Sequence, residues 1–336
     1  MDNTAFVDYA ASVCEAMKEE RTFTCDMKIS QCKDILSHIA VLILEELGCP
    51  ASKVKLSDFG SRRYACDWTK SDLDFLFCLP VEISKEDFLM RLVRYMRSDA
   101  GQECGWTGID AVTNALENEQ VQARFLQMDC DIVVGHEDAA HHSQSVAGKH
   151  LHDALAAQAQ VQGAELFDAL KMFKVFAWAA KSYCRHKQLL GAQFKSIALI
   201  IWAAAVLNGV FNAPAETAEA KKKNAAWMLS YLVAAFHNFP FDTLAVQLGN
   251  DKSLSLHKRN ALKKNDIAGA FVWVELTMSS ATAWTLPAKV KEVQKASLDF
   301  LQNQTHLGSH MAGYHPTDTG FILAQGVRVW GGGPRS

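Results

Sequence analysis

FGSRRYACDWTKSDLDF (residues 59–75) joins a Gly-Ser pair to two aspartates at the mouth of an apolar run. Arg62 and Arg63 follow Gly60-Ser61, and after residues 62–71 comes Asp72-Leu73-Asp74, continuing as Phe75-Leu76-Phe77-Cys78-Leu79. Strand interiors rarely take acids, yet these two enter a run that reads as a strand. Carboxylates at i and i+2 of a strand share a face. Left unpaired, they repel and resist ionisation. A divalent cation resolves the conflict, since magnesium is a hard ion that takes carboxylate, phosphate and water oxygens. Two such ions can clamp the attacking and leaving oxygens of an in-line phosphoryl displacement.

Such a site wants a third carboxylate on a neighbouring strand. Asp131 fits, because it opens the apolar run Ile132-Val133-Val134. Asp129, two positions earlier, shares its face and competes with it. Gly60 lets the backbone approach a phosphate closely. Successive N–H groups in a turn form an anion nest, to which the Ser61 hydroxyl adds a donor. A nucleoside triphosphate is then held by its tail at Gly60-Ser61 while metal on Asp72 and Asp74 grips its phosphates. Positioning and charge neutralisation supply most of the catalysis in that arrangement. A lone Gly-Ser or a lone Asp-x-Asp is usually only a turn or a solvated edge; the combination is what is specific.

The rest of the chain sets bounds. Its 336 residues are enough for two ordinary domains, with 49% hydrophobic and 21% charged residues. A formal net charge of -3 excludes a uniformly basic nucleic-acid binder. Nine cysteines without a CxxC pair argue against a zinc cluster or a complete disulfide framework and for reduced thiols in an intracellular protein. The start, Met1-Asp2-Asn3-Thr4, shows no secretory or transit signal. The longest apolar stretch, residues 197–210, is too short to span a bilayer.

Residues 29–47 have helical period and stop at Gly48-Cys49-Pro50; 54–56 and 73–79 read as strands. Residues 84–97 open with a capping box and read as a helix, and 111–116 as a further helix. Alternation over 121–128 and the run after Asp131 give strands. From residue 143 there is almost no strand signal until 271–276, and helices are expected over 165–183, 196–207, 225–236 and 289–302. The Gly-rich tail from 308 shows short strands at most, near 321 and over 327–330. A mixed αβ first half is thus followed by a mainly helical second half, with the boundary near residue 150.

The pattern FGS…SDLDF with the later DCDIVV resembles the polymerase-β-type nucleotidyltransferase superfamily, and within it non-canonical poly(A) polymerases and terminal uridylyltransferases. Phe59, Gly60, Ser61, Ser71, Asp72, Asp74 and Asp131 match that family's motif. The resemblance extends over roughly residues 55–300 and is strongest at 56–79. It implies an α+β fold: a small mixed-sheet nucleotidyltransferase domain (residues 1–150, with an N-terminal helix), a mainly helical nucleotide-binding domain (151–305) and a tail (306–336), with the active-site cleft between the two domains. It implies template-independent addition of UMP or AMP, from UTP or ATP, to an RNA 3′ end. Two Mg2+ or Mn2+ ions would be held by Asp72, Asp74 and Asp131, and Asp131 would also draw the proton from the attacking 3′-hydroxyl.

Residues 170–199 resemble the family's triphosphate-binding helix and the helix start after it. They offer Lys174 and Lys181, seven apart on one helical face, and Ser196. Where the family places paired lysines four apart, Trp178 follows Lys174, and Ile197 stands where a tyrosine is usual after Ser196. The base preference therefore stays open. The implied partners are an RNA 3′ end, a nucleoside triphosphate and a protein that delivers RNA, with no membrane, in the cytoplasm or nucleus, with the mitochondrion left open. An alternative from the same superfamily is an enzyme resembling cyclic GMP–AMP synthase or oligoadenylate synthase, making a soluble nucleotide signal.

Other features read more plainly. His141, His142, His150 and His152 form a solvated loop rather than a metal site. Lys221-Lys222-Lys223, His257-Lys258-Arg259 and Lys263-Lys264 are solvated runs that can also steer RNA. Trp178, Trp202, Trp227 and Trp284 suit a core better than a stacking platform. Arg62 and Arg63 stand where they can touch a triphosphate or an RNA phosphate, and the sequence does not separate them.

Overall fold

The computed structural model describes residues 23–50, 54–67, 71–113, 119–136, 140–174, 196–211, 224–239, 244–249, 251–258, 272–276 and 279–284. The chain divides into two compact units, one holding the described residues up to Lys149 and the other those from His150 onward.

The first unit is built on one two-faced sheet. Its strands are β1 (Lys55–Asp58), β2 (Leu73–Leu79), β3 (Trp106–Thr113), β4 (Glu119–Phe125) and β5 (Met128–His136), in the spatial order β1-β2-β5-β4-β3. Only β2 and β5 pair in parallel. Alternation assigns the faces. Leu73, Phe75, Phe77 and Leu79 lie beside Cys130, Ile132 and Val134 and form the main core. Two helices cover that face. Helix α1 (Phe23–Glu46) brings Ile29, Cys32, Leu36, Ile39 and Ile43, and α3 (Lys85–Arg97) brings Phe88, Leu89, Leu92, Val93 and Met96. Phe88 meets Phe77 edge-on at 5.2 Å between centroids. The Ser84 hydroxyl accepts the Asp87 N–H at 3.3 Å and caps α3, as the sequence predicts. Glu46 at the end of α1 accepts hydrogen bonds from Arg91, Arg94 and Tyr95, which ties α1 to α3. The opposite face holds a small cluster of Leu76, Cys78 and Val133, with Phe59 against it.

Two local readings are corrected here. Residues 111–113 belong to β3, not to a helix. A register shift between Thr107 and Asp110, with Gly108 at φ +57, breaks the alternation that would have marked the strand. Residues 121–128 are not one strand, because Leu126 and Gln127 turn the chain between β4 and β5 at φ of 48° and 72°. Two-residue hairpins favour positive φ, but usually through Asn or Gly.

In the second unit, α6 (residues 165–174), α7 (Ser196–Phe211) and α8 (Ala225–Asn238) gather around Trp202. Its ring lies 5.5 Å from Phe173, 5.6 Å from Phe236 and 5.5 Å from Phe239. Helix α7 is apolar all round and buried from Ala198 to Leu207, as such a helix must be. Helix α5 (Ala140–Gln162) belongs to the first unit up to Lys149 and to the second from His150. It carries all four histidines, so they are helical rather than in a loop. The second half also contains a four-stranded sheet, ordered β7-β6-β8-β9. Its strands are β6 (Leu244–Leu248), β7 (Leu254–Lys258), β8 (Val272–Leu276) and β9 (Ser279–Trp284). Of these, β8 is expected from its own sequence pattern, and β6 is the short apolar strand that the family resemblance implies after Phe241-Asp242; β7 carries no such signal. The expected helix over 289–302 and the tail lie outside the described residues.

Candidate active site

The two faces of β2 separate structure from chemistry. With Phe75 and Phe77 committed to the helical layer, Asp74 must point to the other face. Asp74 is the register partner of Asp131 across the parallel β2–β5 pair, which puts both half-buried carboxylates on the face away from the helices. Gln122 of β4 stands opposite Asp131 and continues the polar row. Asp72 precedes β2 and is exposed. Asp129 is engaged elsewhere, its carboxylate accepting from Arg124 Nε at 2.9 Å on the exposed surface.

The Gly-Ser turn sits directly against this pair. The chain leaves β1 at Asp58, and the Phe59 N–H donates to the Asp74 carbonyl at 2.9 Å. Gly60 has φ +60, and a Cβ there would stand 1.9 Å from Asp74 Oδ2, so only glycine allows the approach. The four-residue helix α2 (Gly60–Arg63) follows, and the Ser61 carbonyl accepts the Cys66 N–H at 3.0 Å. Ser61 is buried.

Two titratable neighbours escape a sequence reading. Tyr64 is buried behind the turn, and burial first, then the nearby Cys66, Asp74 and Asp67, push its phenol well above the usual range. The Cys130 thiol, beneath the acidic face, is pushed up by its hydrogen bond with the Cys32 thiol and by burial, with Asp131 and Asp74 adding to the effect. Both groups stay protonated and neutral beside the carboxylates.

The structure thus brings Gly60, Ser61, Asp74 and Asp131 together. Among the described residues, no three His, Cys, Asp or Glu side chains are drawn into a set that could hold a metal ion. The donors on this face are carboxylate oxygens, with the pressed Gly60 backbone beside them, which is the chemistry of a magnesium site rather than a zinc site. Lys174 ends the described part of α6 and is half-buried. Lys181 lies outside the described residues. Ser196 is the first residue of α7, as its sequence context predicts.

No protein-family model and no curated protein matches the chain by sequence. Its structure does match solved ones. The Cid1 poly(U) polymerase with MgGTP bound superposes with a TM-score of 0.56 at 10% identity, over 90% of this chain and 95% of that one. A cytoplasmic RNA terminal U-transferase gives 0.53 at 10% identity, over 94% and 96%. A GLD-2/RNP-8 complex gives 0.54 at 10% identity, over 93% and 98%. The α+β architecture is therefore the nucleotidyltransferase fold of these polymerases. No helix among the described residues is long and apolar enough to cross a membrane.

Proposed function

We propose that this chain is a template-independent terminal nucleotidyltransferase that adds UMP or AMP units from the triphosphate to an RNA 3′ end. The observation that supports it best is the contact of Gly60 with Asp74 beside Asp131 on the sheet face opposite the core. A strand that carries acids at this register, with a glycine pressed onto one of them, is costly as structure alone and reads as a site built for phosphate and metal. The shared fold places the same reading in reach, though fold does not determine function.

In this reading residues 1–150 form the catalytic domain, 151–305 the nucleotide-binding domain and 306–336 a tail. Asp72, Asp74 and Asp131 hold divalent metal, Mg2+ or Mn2+, and two ions are expected. The metal, when bound, neutralises phosphate charge and polarises the reacting oxygens. Gly60 and Ser61 hold the triphosphate tail with backbone N–H groups and a hydroxyl. Lys174, Lys181 and Ser196 contribute further phosphate contacts. Asp131 accepts the proton of the attacking 3′-hydroxyl, directly or through water. The solved relatives include a protein complex, GLD-2/RNP-8, and a partner that delivers RNA is part of the proposal.

The test is incubation with labelled UTP or ATP and magnesium or manganese, with and without an RNA primer. Label that lengthens the RNA is the expected result. A small soluble product independent of primer supports the alternative, a maker of a nucleotide signal, and no product under either condition overturns both. Asp74→Ala should abolish incorporation while circular dichroism shows an intact fold; retained incorporation would sink the site assignment.

A further inference from the structure

We propose that Arg63 is a phosphate-binding residue of this site and that the glycine at position 148 exists to make room for it; this rests on the nucleotide-binding reading above. Two arginines of the same chemistry follow Gly60-Ser61, and the structure separates them. Arg62 Nη2 lies 3.6 Å from Asp58 Oδ1, and Lys33 Nζ donates to Asp58 Oδ2 at 3.1 Å. That charge is already met at the end of β1, although Arg62 Nη1 stays buried without a hydrogen bond. Arg62 therefore ties the turn to the end of β1, through a carboxylate that Lys33 of α1 shares. For Arg63, no carboxylate among the described residues forms an ion pair, and its Nε is buried with no hydrogen-bond partner.

The stem of Arg63 lies against α5 at Gly148. A Cβ on Gly148 would stand 2.9 Å from Arg63 Cγ and 3.2 Å from Arg63 Cβ, and only then 3.8 Å from Tyr64 Cδ1. A glycine inside a helix costs about 1 kcal/mol relative to alanine. Gly148 is not at positive φ, so backbone conformation does not explain it. Close approach by Arg63 does. The helix therefore gives up stability to seat an arginine whose buried donor the protein leaves unpaired. An unpaired buried donor is expensive. Nε itself is closed to a ligand, and it is the rest of the half-buried guanidinium that an anionic ligand would meet, neutralising the charge held beside that donor. The planar guanidinium matches phosphate oxygens in pairs. Arg63 is carried by the closed turn that starts at Ser61, so phosphate is the chemistry that reaches it. The phosphate belongs either to the triphosphate tail or to the RNA backbone.

Titration calorimetry on the full chain distinguishes these sources, with sodium tripolyphosphate in one arm and a short RNA oligonucleotide lacking terminal phosphates in the other. Arg63→Gln should weaken one of the two by about tenfold, as loss of one charge-assisted hydrogen bond does, and Arg63→Lys should restore it in part. Loss in the tripolyphosphate arm assigns Arg63 to the nucleotide; loss in the RNA arm assigns it to the primer. Wild-type affinity of Arg63→Gln for both probes overturns the inference alone. A wild-type chain that binds neither probe overturns it together with the nucleotide-binding reading. If Arg63→Gln fails to fold, Gly148→Ala decides. It should keep the melting temperature, since alanine favours the helix, yet lose affinity in the same arm; unchanged affinity overturns the inference.

Discussion

Gly60 has the tightest geometric demand among the described glycines. Its φ of +60 is unfavourable for any other residue, and its missing side chain leaves room for Asp74. Gly60→Ala forces both a strained backbone and a collision with a carboxylate. It should cost about 1–3 kcal/mol in urea unfolding and lower nucleotide incorporation well beyond that stability loss. Normal incorporation by this variant would mean that the close approach has no functional role. This part of the site was legible in the sequence, because a Gly-Ser followed by Asp-x-Asp needs only short-range reasoning. Gly148 was not, since its reason for being glycine lies in Arg63, far away in the chain, and nothing local to α5 points there. The family motif already favoured Asp131 over Asp129, and the structure adds a reason. Both share a face, and only the Arg124 contact shows that Asp129 is occupied at the surface.

At the level of elements, the α1–α3 tie at Glu46 has a definite pH signature. The hydrogen bond from Tyr95 lowers the Glu46 pKa most; partial desolvation opposes it, and bonds from Arg94 and Arg91 add to the lowering. A carboxylate whose folded pKa is lowered stabilises the fold above its unfolded pKa and loses that contribution as pH falls through the folded one. Glu46→Gln should therefore melt below wild type at neutral pH, and the gap should close in acid below the ordinary carboxyl value of 4.5. A gap that persists unchanged in acid would show that the tie acts through packing. Strands β2 and β5 and helices α1 and α3 were readable because each repeats its pattern over enough residues to show a period. Strand β3 was misread because a bulge interrupts its alternation, and β7 was missed because pairing, not propensity, makes it a strand.

For the molecule as a whole, each unit has its own core, one around Phe77 and Phe88 and the other around Trp202. Calorimetry should resolve two unfolding transitions. Phe77→Ala removes a fully buried ring, which typically costs about 3–5 kcal/mol, and should lower one transition while leaving the other in place. A single transition that shifts as a unit would show that the two cores unfold together.

The faces of β2 carry one more consequence, for which changes the gene can tolerate. Core and acids alternate along a single strand, so position in the count, and not identity alone, decides which side chain meets the helices. Deleting Leu76 would turn every later side chain of the strand over and send Phe77 and Leu79 to the acidic face. Loop lengths outside the strands are free of this parity, so viable insertions and deletions in descendants of this chain should avoid β2 and β5 and collect between the elements.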